Sequence, residues 1–408
     1  AKMIPEEGAA MPSAQELLTE ASQYAKTLTE IRRDLHQIPE FALNLPKTQA
    51  RILASIEGLG EITLGKSLSS IVLRIKGANP GPTVLLRADM DALKVVEETG
   101  LPYASTNGFM HACGHDLHMA AGIGAAHLLA THKDKLNGEV LIWFQPGEEG
   151  HHGADVMIEE GMLDLTGSRP IAAYGLHVFT SMPKGLIACK SGPLMASAGD
   201  LNVTFHGAGG HGSMPWLSKD PVTPMVESIA ALQNLLNKQF DQFDPVIMNV
   251  GWIRAGDDAT TNVIADSASF GATVRTFSEE NTKKLHELAP KLIHSIAEGF
   301  STKADVSFGR ATKVLMNNAR AVERVEQVAK QLVGEAGYMP MQKPIAGGED
   351  FASIVAEVPG AFVFVGACPP EIDFQSAPTN HSAKAQFDDS VLPLCAALLA
   401  SLAFSHLG

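Results

Sequence analysis

Residues 110–118 read Met-His-Ala-Cys-Gly-His-Asp-Leu-His, and the runs on either side of this stretch decide the fold. The strand-like run Thr-Val-Leu-Leu-Arg-Ala-Asp-Met-Asp precedes it at 83–91, and the apolar run 139–144 after it leads into Gln-Pro-Gly-Glu-Glu at 145–149. Open α/β folds place their chemistry just beyond the carboxyl ends of strands. A thiolate, imidazoles and a carboxylate there are the ligands of a zinc-like or nickel-like ion. The second carboxylate is then free to act as a base.

The size and composition of the chain limit the function classes. Its 408 residues predict two domains, and 45% hydrophobic and 19% charged residues are typical of a soluble globular protein. The net charge of -14 argues against nucleic acid or a membrane as partner. The sequence contains no run of 18 apolar residues, so no transmembrane helix is predicted. Four scattered cysteines favour a reducing compartment, so we expect a cytoplasmic location. The N-terminus, which does not begin with Met, leaves a secreted or periplasmic processed form open.

The order of predicted helices and strands divides the chain into three segments. Residues 1–194 and 312–408 alternate strands and helices. This pattern predicts an α/β catalytic domain whose mostly parallel sheet is covered by helices on both faces. Residues 195–311 follow a β-α-β-β-α-β order, which predicts an inserted ferredoxin-like α+β domain.

The candidate metal ligands lie near the ends of predicted strands. Cys113 and His115 are too close in sequence to share one helix face, but on an irregular turn they can converge on a metal ion. A lone Cys-x-His pair is weak evidence. It gains weight because further candidate ligands end or follow other predicted strands: Glu148, Glu149, His177 and His381.

Seven motifs, in order along the chain, resemble one family, and the resemblance as a whole extends from about residue 31 to the C-terminus. They are Arg-Ala-Asp-Met-Asp-Ala-Leu at 87–93, His-Ala-Cys-Gly-His-Asp at 111–116, Gln-Pro-Gly-Glu-Glu-Gly at 145–150, Gly-Gly-His-Gly-Ser-Met-Pro at 209–215, Thr-Asn-Val-Ile at 261–264, Gly-Gly-Glu-Asp-Phe at 347–351 and Asn-His-Ser at 380–382. The chain resembles the co-catalytic metallo-aminoacylase and carboxypeptidase family. The resemblance is to its branch of hippurate hydrolases, N-acyl-amino-acid amidohydrolases and auxin-conjugate hydrolases.

The resemblance implies an amidohydrolase that cleaves N-acyl amino acids to a carboxylic acid and a free amino acid by means of a metal-activated water. It implies two divalent ions per subunit, of zinc, manganese, nickel or cobalt, and a homodimer formed through the inserted lid domain. The implied metal ligands are Cys113 bridging both ions, His115 and His177 on one ion, and Glu149 and His381 on the other.

The resemblance also implies roles for residues that bind no metal. Glu148 would be the general base, and His211 of the lid would reach the developing oxyanion, either in its own subunit or in the neighbouring one. Asn262 and Arg275 would hold the carboxylate of the substrate. Two aspartates, Asp89 and Asp91, would orient the ligands, because ligand imidazoles need such partners.

Three other functions compete with this interpretation. A dipeptidase or carboxypeptidase would use the same two-metal site, but a dipeptidase needs a group that binds a free α-amine, and the sequence identifies none. A metal-binding protein without catalysis would not need the base Glu148 beside the ligands. Zinc nucleobase deaminases require Pro-Cys-x-x-Cys, and this chain has no Cys-x-x-Cys.

Overall fold

The computed structural model describes residues 10–408, and the chain divides into two compact units. The first unit contains the described residues up to Leu194, together with Met316–Lys343 and Ser353–Gly408. The second unit contains Met195–Leu315 and Pro344–Ala352. The segment 195–311, for which the sequence predicts an inserted domain, lies within this second unit.

Helices and strands alternate along most of the described chain. The α-helices are α1 (Ala14–Gln23), α2 (Ala25–Gln37), α3 (Pro46–Ile56), α4 (His115–Thr131), α5 (Gly153–Glu159), α6 (Val222–Gln239), α7 (Glu279–Gly299), α8 (Ala319–Val333), α9 (Phe351–Glu357) and α10 (Leu392–Leu407). The strands are β1 (Glu61–Leu64), β2 (Ile71–Lys76), β3 (Asn79–Asp89), β4 (Asn137–Gln145), β5 (Ala172–Pro183), β6 (Ile187–Cys189), β7 (Gly192–Met195), β8 (Ser197–His206), β9 (Gly210–His211), β10 (Ile247–Ala255), β11 (Val263–Ile264), β12 (Ser267–Thr276), β13 (Lys303–Phe308), β14 (Leu315–Asn317), β15 (Tyr338–Pro340) and β16 (Gly360–Cys368).

An eight-stranded sheet forms the centre of the first unit, in the order β1-β2-β4-β3-β5-β16-β6-β15. Its central strands β4, β3, β5 and β16 are parallel, and antiparallel strands join on both sides. Along β4, Ile142 faces one side and Trp143 the other, and both are buried, so both faces of the sheet are covered. The predicted fold class, α/β with a mostly parallel sheet, is confirmed.

The helix α10 is apolar around its whole circumference because it lies in the core. It packs against α4, α1 and α8. The stretch Asp389–Leu407 is long and apolar enough to cross a membrane by length and composition, but 83% of it is buried inside the protein. A helix in the core of a protein is also long and apolar. This stretch therefore does not overturn the expectation that the chain has no transmembrane helix.

The second unit has the topology that the sequence predicts. Its sheet has the order β10-β12-β8-β13, and every neighbouring pair is antiparallel. With α6 after β8 and α7 after β12, this is the ferredoxin-like split arrangement. Its core centres on Phe205 and Phe270, which are fully buried.

Two elements that carry the site differ from the predicted ranges. The apolar, alanine-rich run 120–129 predicts a helix, but α4 begins five residues earlier, at His115, because Gly114 takes a left-handed conformation that starts the helix there. The apolar run 171–177 predicts a strand that ends at His177, but β5 continues to Pro183, so His177 lies within the strand and not at its end. Short elements such as α5 and β6 were too short for their periodicity to predict.

Gly124 allows α4 to approach α10 closely, and we expect Gly124→Ala to destabilise the protein. A Cβ at this position would lie 2.7 Å from Cβ of Ala396, closer than real side chains pack. Overpacking costs about 1–3 kcal/mol, against a gain of about 1 kcal/mol in helix propensity. Chemical denaturation measures the net loss. The control is Gly299→Ala in α7, where an added Cβ meets nothing within 4 Å; equal midpoints for the two variants would contradict the prediction.

Candidate metal centre

The Cys-Gly-His turn carries the first two candidate ligands into α4. Gly114 precedes the helix with a positive φ of 81°. A Cβ on Gly114 would collide with the side chain of Val178 in β5, so this position requires glycine both for its backbone and for its space. The turn therefore holds its cysteine and histidine against the strand that carries His177.

Two sets of potential ligand atoms converge at this turn and share one sulfur. Sγ of Cys113 and ring nitrogens of His115 and His177 lie within 4.8 Å of one another. The same sulfur, a carboxylate oxygen of Glu149 and a ring nitrogen of His381 form a second set within 4.8 Å. Sulfur, imidazole and carboxylate ligands suit zinc-like ions. Because Cys113 belongs to both sets, the donor atoms fit two ions that share a thiolate.

The two buried imidazoles are oriented as metal ligands require. Nδ1 of His115 donates to the backbone oxygen of Asp91 at 2.7 Å, and Nδ1 of His177 donates to the backbone oxygen of Val178 at 2.9 Å. A carbonyl oxygen only accepts, so Nδ1 carries a proton in each ring and Nε2 is the nitrogen left to bind a metal. Nε2 of His177 lies 3.5 Å from Sγ of Cys113.

Asp91 positions three residues of the cluster. Its carboxylate accepts the backbone N–H of Glu148 at 2.9 Å and that of Glu149 at 3.0 Å, and its backbone oxygen takes the proton of His115. The chain thus turns sharply after β4, and both glutamates are held beside the ligand histidine. This geometry supports the orienting role that the resemblance implies for Asp91.

Asp89 connects the cluster to a buried arginine. Its Oδ1 accepts from Nδ1 of His118 at 2.6 Å, and its Oδ2 accepts from Nη1 of Arg87 at 3.0 Å. The same Oδ2 lies 3.4 Å from Nε2 of His115. Arg87 also donates to Gln145 at the end of β4, so the aspartate is fixed from two strands.

Two buried polar atoms show that the cluster fits a cation. Among the residues that the structure describes, none hydrogen-bonds Nε2 of His115 or Oε1 of Glu149, although both atoms are buried. Nε2 of His115 lies 3.7 Å from Oε2 of Glu148 and 3.7 Å from Oε1 of Glu149, beyond hydrogen-bonding distance. Their charged neighbours are Oδ2 of Asp89, 3.4 Å from Nε2 of His115, and Nε2 of His381, 3.2 Å from Oε1 of Glu149. Buried polar atoms without hydrogen bonds cost free energy, and cations bound in the cluster would satisfy them.

The charges around the cluster also favour cations. The neighbouring Cys113 and Glu149 raise the pKa of His381 to about 10. Burial alone would raise the pKa of Glu149, but His381 and His115 lower it. Burial alone would lower the pKa of His115, but Asp89 and Asp91 raise it well above its usual value. Protons on imidazoles thus balance the anions, and metal binding releases such protons.

Two more side chains lie in the cluster: His118, which flanks the Cys-Gly-His motif and is expected from the sequence only to pack or to support a ligand, and Asn380, for which no role is predicted. The ring of His118 lies 5.4 Å from the ring of His115 and 4.7 Å from that of His177. Nδ2 of Asn380 lies 3.9 Å from Sγ of Cys113. One signal was available for the histidine, because residues three apart share a helix face. For the asparagine, the only signal was its position directly before a candidate ligand.

The remaining predicted site residues lie in the second unit. His211 and Asn262 are neighbours there, since the N–H of Gly212 donates to the backbone oxygen of Asn262 at 2.8 Å. Arg275 lies near the far end of β12, eight residues beyond Ser267, which is about 27 Å along a strand. The second unit thus brings His211 and Asn262 together but keeps Arg275 apart from them.

A buried ionic network anchors the start of α4. Nε of Arg32 donates to Oδ2 of Asp116 at 2.7 Å, and its Nη1 donates to Oδ1 of Asp389 at 2.8 Å. Nδ1 of His36 donates to the same Oδ2 of Asp116 at 2.8 Å, while its other nitrogen bonds Glu97. Because Asp116 directly follows a candidate ligand, this network fixes the backbone of the turn that carries Cys113 and His115.

The fold and the cluster define the class of the protein, which is a metal-dependent amide hydrolase. The chain belongs to peptidase family M20/M25/M40, whose family model matches residues 85–405. The expected family, the expected fold class and the expected enzyme class are therefore confirmed.

Individual relatives match most of the chain. It is 36% identical over 351 residues to N-acetyl-L-cysteine deacetylase of Bacillus subtilis, covering 85% of this chain and 81% of the relative. It is 32% identical over 399 residues to thermostable carboxypeptidase 1 of Saccharolobus solfataricus, covering 96% of this chain and 98% of the relative. The crystal structure of the Bacillus subtilis YXEP protein, a dinuclear metal binding peptidase, matches with a TM-score of 0.79 at 31% identity, covering 94% and 98%.

The network around His36 predicts a loss of stability at alkaline pH. Burial alone would lower the pKa of His36, but Asp116 and Glu97 raise it above its usual value. Its contribution is therefore complete below about pH 6.5 and is lost as the pH rises through the raised pKa. We expect the thermal midpoint of chelator-treated protein to fall across this range, and to fall less in His36→Asn.

The control for this measurement is His127→Asn. The ring of His127 bonds the backbone oxygen of Ser55 and no carboxylate, so this variant should keep the wild-type pH dependence. If His36→Asn and the wild type showed the same fall in thermal midpoint, His36 would not carry the effect.

Proposed function

We propose that the protein hydrolyses N-acyl amino acids to a carboxylic acid and a free amino acid. One observation carries the proposal: the buried carboxylate of Glu148 lies beside the cluster, 3.7 Å from a candidate ligand nitrogen, where pure metal binding needs no further carboxylate. The deacetylase relative, named for an N-acetyl amino acid, supports the acyl-amino-acid class.

We assign the ligands of two divalent ions to the two donor sets. Cys113 would serve both ions, His115 and His177 would complete one, and Glu149 and His381 would complete the other. Two bound ions supply Lewis acidity, which lowers the pKa of water and polarises an amide carbonyl. Zinc, manganese, nickel and cobalt all fit this donor set.

Glu148 acts as the general base. Its carboxylate removes a proton from the attacking water as the new C–O bond forms at the acyl carbon. It then returns that proton to the leaving nitrogen as the C–N bond breaks, so that the products are a carboxylic acid and an amine. Asp91 holds the backbone of this glutamate and thereby limits where the carboxylate can point.

His211 is suited to donate a hydrogen bond to the oxyanion. Its Nδ1 accepts from the backbone N–H of Ser213 at 3.1 Å, and Oγ of Ser213 lies 2.8 Å from the same nitrogen. A backbone N–H only donates, so Nδ1 accepts and the ring proton is on Nε2, which is free to donate. Asn262 beside it and Arg275 bind the substrate carboxylate, the arginine through its two-pronged guanidinium.

We further propose that the active form is a homodimer through the second unit. Its edge strand β10 exposes Trp252 and Ile253 by 42% and 54%, and such edges are usually covered. A dimer also accounts for the distance between Asn262 and Arg275 within one chain. The asparagine of one subunit and the arginine of the other can then bind the same substrate carboxylate. Sedimentation velocity should give twice the 43.2 kDa of one chain, and a monomer would contradict the assembly.

We also propose a cytoplasmic location, which fits the four free cysteines.

Substrate preference tests the proposal against its main rival. The thermostable carboxypeptidase relative favours a peptidase with the same ligands. Chelator-stripped protein is reloaded with zinc, manganese, cobalt or nickel and given N-acetyl, N-benzoyl and long-chain N-acyl amino acids beside plain dipeptides. We expect metal-restored release of amine from the acyl amino acids, with dipeptides inert. Faster cleavage of dipeptides would move the protein to the peptidase branch.

Glu148→Gln tests the general base. We expect kcat to fall about 100- to 10,000-fold, because the amide cannot take the proton from water. The metal content should stay at the wild-type value, because the ligand atoms are untouched. The matched control, Glu159→Gln, lies exposed in α5 and should keep the wild-type kcat. An unchanged kcat in Glu148→Gln would remove this residue as the base.

A further inference from the structure

The peptide groups of Val178 connect three parts of the metal cluster. The N–H of Val178 donates to Nε2 of His118 at 3.0 Å. Its carbonyl oxygen accepts from Nδ1 of His177 at 2.9 Å and from Nδ2 of Asn380 at 2.9 Å. One residue of β5 thus bonds one candidate ligand and two side chains that the proposed mechanism does not use.

The sheet leaves these backbone groups available. The pairing of β3 with β5 ends at Arg87 and Gly175, so β5 continues past that point without a strand on this side. Buried backbone groups require hydrogen-bond partners. His118 and Asn380 supply them, and the side chain of Val178 packs where Gly114 leaves room.

The tautomer of His118 follows from its two partners. The N–H of Val178 only donates, so Nε2 of His118 accepts and its Nδ1 donates to Asp89. The imidazole is therefore a fixed link from Asp89 to the peptide beside His177.

Asn380 uses both ends of its amide. Its Nδ2 donates to Val178 and lies 3.9 Å from Sγ of Cys113, while its Oδ1 accepts the backbone N–H of Thr180 at 3.1 Å. The next residue is His381, whose own N–H donates to Ala112 at 2.8 Å. One side chain thus ties the loop of one candidate ligand to the strand of another.

We propose that His118 and Asn380 are positioning residues that clamp the Val178 peptide and thereby hold His177, Cys113 and His381 in their metal-binding arrangement. The inference rests on the ligand assignment proposed above. Because the clamp acts on ligand geometry, its loss should change ion affinity and the spectrum of a bound ion, which a general loss of stability would not do.

The experiment titrates chelator-stripped protein with Co²⁺ against a competing chelator and records the thiolate-to-cobalt absorption. We expect Asn380→Ala to lower Co²⁺ affinity about 10- to 100-fold and to shift or weaken that absorption, as loss of a residue that orients metal ligands does. His118 gives an independent pair of variants. In His118→Gln the amide oxygen reaches the Nε2 position and still accepts from Val178, whereas His118→Asn keeps only the bond to Asp89. The clamp therefore predicts that Gln preserves affinity better than Asn.

The control is Asn318→Ala in the same unit. It removes the N-cap of α8, where Oδ1 of Asn318 accepts the N–H of Ala321 at 3.1 Å, so it should lower the thermal midpoint but leave Co²⁺ affinity and spectrum unchanged. If Asn380→Ala behaved like this control, or if Asn and Gln at 118 were equivalent, the clamp would be refuted while the proposed function stood. A wild-type protein that binds no Co²⁺ would overturn the ligand assignment and the clamp together.

Discussion

The site depends on the bonds that Asp91 makes at the point where β3 has just ended. Its carboxylate takes two consecutive backbone N–H groups from the loop after β4, and its carbonyl takes the proton of His115 at the start of α4. A parallel sheet brings these two chain segments to the same edge, but it does not fix the direction of any side chain there. The aspartate does so, and the lone pair of the histidine consequently points toward the paired glutamates. Without these bonds the cluster would be a group of nearby polar residues with no common centre.

Much of the fold could be predicted because the chain is locally consistent. The run after residue 139 is apolar at successive positions and is too short for a core helix, which indicates a strand buried on both faces, and β4 is such a strand. The β-α-β-β-α-β order after residue 195 likewise predicted the small antiparallel sheet of the second unit. Prediction failed where the end of a helix or strand is set by the backbone conformation of a single residue. The start of α4 depends on the left-handed backbone of Gly114 and on its contact with a distant valine, and hydrophobic periodicity reports neither.

Some residues of the candidate site could likewise be predicted from the sequence, and others could not. Its donor residues stood out because cysteine, histidine and paired glutamates at strand ends have few other uses, and the structure brings Cys113, His115, Glu149, His177 and His381 together. The residues around them were harder to predict. Arg32 belongs to an amphipathic helix and reads as a surface residue, yet it is buried against Asp116, 84 positions away. Asparagine is common in turns of every kind, so the presence of Asn380 before His381 does not indicate a role in the site. Their roles arise from contacts between distant parts of the chain, which local patterns do not encode.

The two donor sets differ in their access to solvent. Cys113, His115 and His177 are all buried, whereas the side chain of His381 is 55% exposed and its backbone has a positive φ of 75°. If the two donor sets hold ions as we propose, a chelator in solution can reach the ring of His381 directly, whereas the other set lies beneath the surface. The two sets therefore meet the surrounding solution unequally, although they share one sulfur.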